Sequence, residues 1–376
     1  MNKRTAIVVT TIFEPDFIAG YLDNARTHGH ADHVDLIVIV DRKTPPSMHA
    51  ACARFAQQGF SVLYPTLDEQ ERFIARFPTL AGRIPYDSDN RRNIGFLMAL
   101  DRGADVLVSI DDDNHCLPDS DFIGEHSVVG NACIAPEVIA DDGWFNIATM
   151  LHVGHAAEIY PRGFPYAARN RARDVSIGAP VERKVAINAG LWLGDPDVDA
   201  ITRLALAPKI ASADTRSLLL GADTWSPINT QNTALAREAV VAYYYVRMGF
   251  SLGGMTIDRY GDILSGYFVQ KCAKALGHAI RIGSPVADHR RSPHNLFKDL
   301  YHELAGMVIV EELLPWLMEL ELPGATYAET YLALADAIDT RAGSFKGFVW
   351  DQGAREFLGS TTANMRAWVD AVRSIG

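Results

Sequence analysis

Three consecutive aspartates, Asp111, Asp112 and Asp113, are the residues whose type and spacing point most directly to chemistry. They follow the run Val-Leu-Val-Ser-Ile at 106–110, which has the composition of a buried strand. Adjacent carboxylates raise each other's pKa, and a hard divalent cation such as Mg²⁺ or Mn²⁺ relieves that repulsion. The open positions of such a cation can take the oxygens of a diphosphate. An acidic turn at the surface is the alternative interpretation.

The spacing of the triplet suggests which carboxylates hold the cation. Along an extended segment the first and third side chains point the same way, so Asp111 and Asp113 are the predicted metal ligands. Asp112 then lies behind them or toward the group that the diphosphate carries, and it is a candidate catalytic residue. His289, after the short segment 280–287, is a candidate third ligand through a neutral imidazole, although a structural histidine is the alternative.

Other polar residues are candidates for the rest of a phosphorylated ligand. Three cations, Arg290, Arg291 and Lys298, are suitable counter-charges for a diphosphate, although a charge run is more commonly a solvated face. Ligands of parallel sheets collect at the carboxyl ends of the strands. From position alone, four residues are expected to contact base, ribose or phosphate: Thr10, Glu14, Asp41 and Arg92.

Alternating segments in the first 115 residues must position these side chains. Short β-branched runs predict strands over 6–11, 35–41, 61–66 and 105–113. Helical spacing of apolar residues predicts helices over 16–28, 46–59 and 90–103. Strand and helix in alternation predict an α/β fold with a mostly parallel central sheet and helices on its faces.

The remainder of the chain is divided into an irregular part and a helical part. Residues 115–300 are rich in Gly, Pro, Asn and Asp, which favour turns and site-building loops. Helices are predicted over 301–320, with Pro315 as a kink, 327–341 and 363–375. We therefore predict a catalytic domain over 1–300 and a carboxyl-terminal helical extension over 301–376 that packs on it.

Composition excludes several classes of function. The 376 residues carry a net charge of −11, which argues against a nucleic-acid-binding surface. No apolar stretch approaches the roughly 20 residues that cross a bilayer, and the first apolar run is too short for a signal peptide. The four cysteines are scattered without CxxC spacing, which fits a reducing cytoplasm rather than zinc or disulfides. No G-x-G-x-x-G follows the first strand, so a flavin is not expected.

The order of five elements resembles that of the reversibly glycosylated polypeptides, the flavin-independent UDP-arabinopyranose mutase family. The similarity covers most of residues 5–320, and the Gly-Leu-Trp-Leu element is its most specific part. The matching segments are Ser109–Asp113, Phe164–Arg169 (Phe-Pro-Tyr-Ala-Ala-Arg), Gly190–Ala200 (Gly-Leu-Trp-Leu-Gly-Asp-Pro-Asp-Val-Asp-Ala), Arg259–Asp262 (Arg-Tyr-Gly-Asp), and His289 followed by Asn295–Lys298.

The resemblance implies a GT-A-like, Rossmann-like glycosyltransferase fold, dependence on Mn²⁺ or Mg²⁺, and exchange between pyranose and furanose forms of an NDP-sugar. It implies that Arg169 matches the arginine glycosylated in the plant proteins, and we expect Arg169 to position the sugar. Asp262 is a candidate for proton transfer at sugar hydroxyls. Trp192 and Asp195, in the Gly-Leu-Trp-Leu element, are expected to contact the nucleotide or sugar.

Departures from the plant pattern leave the substrate open. Asn114 and His115 stand where the plant pattern has Cys, and the stretch 223–237 differs from the plant version. The nucleotide is therefore UDP or GDP, as in bacterial relatives that act on GDP-sugars. A retaining glycosyltransferase that uses the same donor site is the alternative enzyme. A self-glycosylating scaffold, possible as a homo-oligomer, is the alternative from another class.

Overall fold

Four parallel strands and four helices form the amino-terminal part of the computed structural model, which describes residues 3–154 and 157–376. The strands lie in the order β3-β2-β1-β4. Their carboxyl ends meet at one edge, as predicted. The elements are β1 (Thr5–Thr11), α1 (Ile18–Thr27), β2 (Val34–Val40), α2 (Pro46–Gln57), β3 (Ser61–Leu63), α3 (Leu67–Ile74), α4 (Arg92–Asp101) and β4 (Val106–Ile110).

Helix α3 was not among the sequence-based predictions, although its start carries a recognisable signal. Thr66 accepts a hydrogen bond from the backbone N–H of Glu69, and the Glu69 carboxylate accepts one from the backbone N–H of Thr66. This reciprocal capping box satisfies N–H groups that a helix start otherwise leaves unpaired. The predicted strand over 61–66 therefore ends early, at Leu63.

The middle of the chain contributes mainly antiparallel strands, which extend the sheet into a mixed one. Its longest strands are β8 and β14, so this part is more regular than the turn-rich sequence suggested. The elements are β5 (Asn114–Cys116), α5 (Phe122–His126), β6 (Ala132–Ala140), β7 (Leu151–Val153), β8 (Val175–Gly194), α6 (Ala200–Leu206), β9 (Ile210–Ala213), β10 (Leu218–Leu220), β11 (Asn232–Ala236), β12 (Phe250–Leu252), β13 (Met255–Ile257), α7 (Gly261–Ala275) and β14 (Ala279–His289).

The register of three of these strands brings His289 to the acidic triplet. Strand β5 begins directly after the triplet and pairs with β14, so that Asn114 lies opposite His289. On its other side β14 pairs with β8, which places His289 opposite Gly194. A Cβ on Gly190 would lie 2.3 Å from the carbonyl oxygen of Pro285. Only glycine therefore permits this close approach of β8 to the backbone of β14 at Pro285.

The chain ends in three long helices, α8 (Leu296–Glu319), α9 (Tyr327–Ala342) and α10 (Ala354–Ile375). Helix α8 contains Pro315, as predicted, and α10 begins nine residues before the predicted start at 363. Their buried residues belong to the same hydrophobic core as the sheet, and the Trp368 indole donates to the carbonyl oxygen of Val240 at 3.0 Å. The prediction of an α/β fold with carboxyl-terminal helices is therefore confirmed, whereas the division at residue 300 stays a prediction.

Among the helices that the structure describes, we find none that is both long and apolar enough to cross a membrane.

Candidate functional site

A cavity of about 540 Å³ opens at the carboxyl ends of β1, β2 and β4. Nine of the predicted site residues line this central cavity: Thr10, Asp41, Arg92, Asp111, Asp112, Asp113, Asp262, His289 and Arg291. The lining also includes the segment 85–92, which leads into α4, and residues from the loop before α7. The size and the polar lining suit a phosphorylated ligand larger than a single sugar.

Asp113 and His289 form a pair in the cavity wall. The Nε2 atom of His289 lies 3.1 Å from Oδ2 of Asp113, while Nδ1 is hydrogen-bonded to the carbonyl oxygen of Asp195. Burial disfavours the charged forms of both side chains, but the charge of each one stabilises the charge of the other. Their contact therefore raises the pKa of His289 and lowers the pKa of Asp113.

Asp111 is bound by an arginine. Its Oδ1 accepts a hydrogen bond from Nη2 of Arg92 at 2.6 Å, and Arg92 also donates to Thr10 and Ser109. Strand β4 ends at Ile110 and the triplet lies in a turn closed by the bond from Asn114 N–H to Asp111 C=O. The expectation of an extended D-x-D segment is thus corrected by the turn, whereas Asp111 as a metal ligand stays a prediction.

Asp112 has a carboxyl whose pKa is raised into the neutral range. Burial, followed by the charges of Asp113 and Asp111, raises the pKa of Asp112 to about 7, against opposing effects of Thr11 and Arg92. A carboxyl with a pKa near neutrality can both donate and accept protons at physiological pH. Its prediction as a candidate catalytic residue stands on this property.

The donor atoms at the triplet suit a cation that takes only some of its ligands from the protein. Among residues 3–154 and 157–376, no group of three or more His, Cys, Asp or Glu side chains is arranged to hold a metal ion by itself. The pair of Asp113 and His289 supplies one carboxylate and one imidazole. Because Nδ1 of His289 is hydrogen-bonded to a backbone carbonyl, Nε2 is the atom that can ligate a metal in the neutral imidazole. These residues fit a site that a diphosphate and water complete.

A buried arginine flanked by two aspartates forms another part of the cavity wall. Arg162 donates to both carboxylate oxygens of Asp197, at 3.0 and 3.1 Å, and to both of Asp262, at 3.0 and 2.8 Å. We call these three residues the arginine clamp. All three side chains are at most 7% exposed. Since both oxygens of Asp262 are engaged by Arg162, Asp262 fixes the guanidinium rather than standing free for proton transfer.

Arg169 is not at the cavity. Its guanidinium lies 3.7 Å from the ring centroid of Tyr166 and forms an ion pair with Asp199, which is 0% exposed. Its role at the sugar, expected from the family resemblance, is therefore not supported by its position. Arg162, which the sequence presents as one of several arginines in the same stretch, occupies the cavity wall instead.

Five further predicted contacts also lie outside the cavity lining. Asp195 pairs with Arg203 and Lys209, although its carbonyl oxygen orients His289. Arg290 pairs with Asp288, while its backbone N–H donates to the carbonyl oxygen of Asp113 at 2.8 Å. The other three are Glu14, exposed and bonded to Ser47, Trp192, buried in the core, and Lys298, exposed on α8.

Several lining residues were absent from the predicted site: Asp89, Arg162, Asp197, Tyr245, Asp258, Arg259 and His294. Most come from the stretch 85–92 or from loops distant in sequence from the triplet. Asp197 and Arg259 do lie in the segments that carry the family resemblance, so those segments were the available signal for them. For Asp89, the Asp-Ser-Asp-Asn run before α4 offered only a helix-start signal.

Comparison with known proteins gives one family match across the chain. The model of the family described as "Reversibly glycosylated polypeptide" matches residues 2–375.

Curated relatives with related names match part of the chain. A probable UDP-arabinopyranose mutase 1 of Solanum tuberosum is 30% identical over 192 residues, covering 49% of this chain and 48% of that protein. UDP-arabinopyranose mutase 3 of Arabidopsis thaliana is 28% identical over 188 residues, with shares of 49% and 48%. A probable UDP-arabinopyranose mutase 4 of Arabidopsis thaliana is 26% identical over 264 residues, with shares of 68% and 66%. The chain thus spans about half the length of the first two relatives.

Solved structures resemble the chain distantly. A mannosyltransferase from Pyrobaculum calidifontis, in complex with GDP-Man and Mn²⁺, covers 100% of this chain and 87% of its own, at 13% identity and a TM-score of 0.40. Glucosyl-3-phosphoglycerate synthase from Mycobacterium tuberculosis covers 82% and 80%, at 14% identity and a TM-score of 0.41. TM-scores this low do not indicate the ligand of this chain.

Proposed function

The chain belongs to the reversibly glycosylated polypeptide family, and from that premise we propose that it is a metal-dependent, flavin-independent mutase of NDP-sugars. It interconverts the pyranose and furanose forms of the nucleotide-activated sugar. UDP-arabinose is the first substrate to test, because the curated relatives are named for it, and a GDP-hexose is the second. The observation that carries the proposal is the pair of Asp113 and His289 in the wall of the central cavity.

Asp113 and His289 hold the divalent cation in this proposal. When bound, Mn²⁺ or Mg²⁺ supplies positive charge to the diphosphate as its bond to the anomeric carbon breaks. Arg291, which lines the same cavity and is bonded to Asp299, adds a fixed positive charge near the leaving group. The hydrogen bond from Nδ1 of His289 to Asp195 keeps the imidazole oriented in every step.

The remaining residues of the cavity bind the nucleoside and the sugar. Thr10 and Asp41, at the ends of β1 and β2, are proposed to contact ribose or base. The arginine clamp presents a rigid guanidinium to the cavity and orients the departing diphosphate or the sugar. Asp112, with its pKa of about 7, is proposed to exchange protons with ligand hydroxyls.

The decisive experiment incubates the metal-free protein with UDP-arabinopyranose, UDP-arabinofuranose or GDP-mannose, without any acceptor, and resolves the ring isomers. Ring exchange is expected only after Mn²⁺ or Mg²⁺ is added. His289→Ala is expected to weaken Mn²⁺-dependent binding of UDP or GDP at least about tenfold. His28→Ala, on the surface beyond α1, is the matched control.

Three outcomes of the assay separate the alternatives. Interconverted isomers support the mutase. Slow hydrolysis with no ring exchange on either nucleotide would contradict it and favour a glycosyltransferase that lacks its acceptor. If the NDP-sugar carries a radiolabelled sugar and the label remains on the protein without turnover, a self-glycosylating scaffold would be favoured.

A further inference from the structure

Asp89 projects into the central cavity from a rigid turn. It stands one helical turn before Arg92, in the 3₁₀ segment Asp89–Arg91 that leads into α4. Behind it, the amide of Asn90 donates to the Tyr245 carbonyl oxygen at 2.6 Å, and the amide of Asn93 donates to the same oxygen at 3.0 Å. These two bonds fix the backbone of the turn, and the Asp89 side chain lines the cavity.

Within the described ranges 3–154 and 157–376, the carboxyl of Asp89 has no side-chain hydrogen bond or ion pair, unlike three other carboxyls of the cavity. Asp111 is bound by Arg92, Asp113 by His289, and Asp262 by Arg162. Protein surrounds the Asp89 carboxyl, but its side chain is open to the space of the cavity. A carboxylate in this position can accept hydrogen bonds from a ligand that enters the cavity.

The surroundings of Asp89 select the kind of ligand group. The negative charges of Asp111, Asp258 and Asp262 act on it, and the charge of Arg92 opposes them. A diphosphate oxygen would be repelled by this group of carboxylates, whereas sugar hydroxyls are neutral hydrogen-bond donors. Burial, together with these negative neighbours, raises the pKa of Asp89, which makes its carboxylate a better proton acceptor.

We propose that Asp89 binds the hydroxyls of the sugar whose ring changes size and carries the proton between the two ring oxygens. The part of this inference that concerns proton transfer rests on the proposed mutase function. The part that concerns binding of the sugar hydroxyls requires only that the cavity holds an NDP-sugar. Asp89 is then a catalytic residue of the same cavity, and it is not part of the diphosphate site.

The proton balance of the step is closed without a further reactant. When the diphosphate leaves the anomeric carbon, the ring oxygen forms a double bond to that carbon. A sugar hydroxyl oxygen then bonds to the anomeric carbon and gives its proton to the Asp89 carboxylate. Asp89 returns that proton to the former ring oxygen as its bond to the anomeric carbon breaks. A diphosphate oxygen bonds to the carbon again, and Asp89 ends as a carboxylate.

The test compares binding of UDP with binding of UDP-arabinopyranose, and of GDP with GDP-mannose, by calorimetry with Mn²⁺ present. In Asp89→Asn the affinity for the nucleotide alone is expected to match the wild type, while the affinity for the NDP-sugar falls about tenfold or more. Ring exchange by Asp89→Asn is expected to slow about 10²–10⁴-fold, with partial recovery in Asp89→Glu. Asp68→Asn, an exposed aspartate of α3, is the matched control for the charge change.

The outcomes separate this inference from the proposed function. If Asp89→Asn binds the NDP-sugar and turns it over as the wild type does, the inference is wrong. It is also wrong if Asp89→Asn loses affinity for the nucleotide and for the NDP-sugar equally. If the wild type shows no ring exchange, the mutase proposal fails, and selective loss of NDP-sugar affinity in Asp89→Asn still supports Asp89 as the sugar-binding carboxylate.

Discussion

At the scale of single residues, arginines pair with several carboxylates of the cavity and of the protein around it. Arg92 holds Asp111, Arg162 holds Asp197 and Asp262, and Arg169 holds Asp199. A charge that is removed from water is tolerated only when it is paired and hydrogen-bonded. Fewer carboxylates are therefore available to a ligand than the sequence suggests. Asp89 and Asp112 are the two that we propose to exchange protons with the hydroxyls of the ligand.

Arg169 gives a test at this scale. Arg169→Ala is expected to lower the free energy of unfolding by about 3–5 kcal/mol, because it leaves the charge of Asp199 buried and uncompensated. Urea unfolding at neutral pH measures the loss. The double variant Arg169→Ala/Asp199→Asn should recover part of it, since the unpaired charge is then absent. A folded Arg169→Ala variant of wild-type stability that has lost turnover would instead place Arg169 at the sugar, as the family resemblance implies.

At the scale of elements, the site depends on strands that are far apart in sequence. His289 reaches Asp113 because β5 pairs with β14 directly after the acidic triplet. Helix α4 packs so closely on β1 that a Cβ on Gly95 would lie 2.4 Å from Cγ1 of Val8. This close packing sets the position of Arg92 at the amino end of α4, within reach of Asp111 and Thr10.

Asp35 in β2 supplies a pH-dependent test of how the parallel strands are held together. Burial opposes its ionisation, but hydrogen bonds from Arg102, Ser61 and Arg4 outweigh that effect and lower the pKa of Asp35. A lowered folded-state pKa means that the stabilisation is complete above the unfolded value near 3.8 and is lost as the pH falls through the folded value.

Asp35→Asn is therefore expected to lower the free energy of unfolding by about 1–2 kcal/mol at pH 7, after allowance for solvent screening at the exposed arginines. The difference from the wild type should shrink as the pH falls below about 4. Chemical unfolding from pH 7 to pH 3 checks both statements, with the exposed Asp23→Asn as control. A difference that stays constant over this range would contradict the role of the ionised carboxylate.

At the scale of the whole molecule, the carboxyl-terminal helices and the sheet share one hydrophobic core. That core extends from Ala6 in β1 to Ala371 in α10. Trp368 is 0% exposed and its indole is bonded to Val240, while Arg237 donates to the carbonyl oxygen of Gly376. Association into a homo-oligomer stays a prediction from the sequence.

Removal of residues 321–376, which carry α9 and α10, is expected to abolish cooperative unfolding. It exposes apolar surface of α4, α7 and the segment Arg237–Ala242 on which these helices pack. Calorimetry of the truncated chain measures this. Trp368→Ala in the full chain is the milder comparison and should cost about 3–5 kcal/mol. A truncated chain that unfolds cooperatively and binds UDP or GDP would show that these helices are a separate domain.

The sequence by itself determined the parallel half of the sheet, the carboxyl-terminal helices and the position of the acidic triplet at the cavity. These follow from local patterns: buried β-branched runs, helical spacing, and polar residues at strand ends. The same local patterns placed Thr10, Asp41 and Arg92 at the cavity.

Only the tertiary structure decided which charges face one another. Arg162 and Arg169 are seven residues apart and similar in sequence context, yet one lines the cavity and the other stacks on Tyr166. The partners that separate them, Asp262 and Asp199, come from distant segments. Pairing across such distances depends on strand register and helix packing, which no local pattern contains. The triplet is a local pattern, and by itself it predicted a diphosphate site. The pairing of Asp113 with His289 and the position of Asp89 in the cavity appeared only in the folded chain.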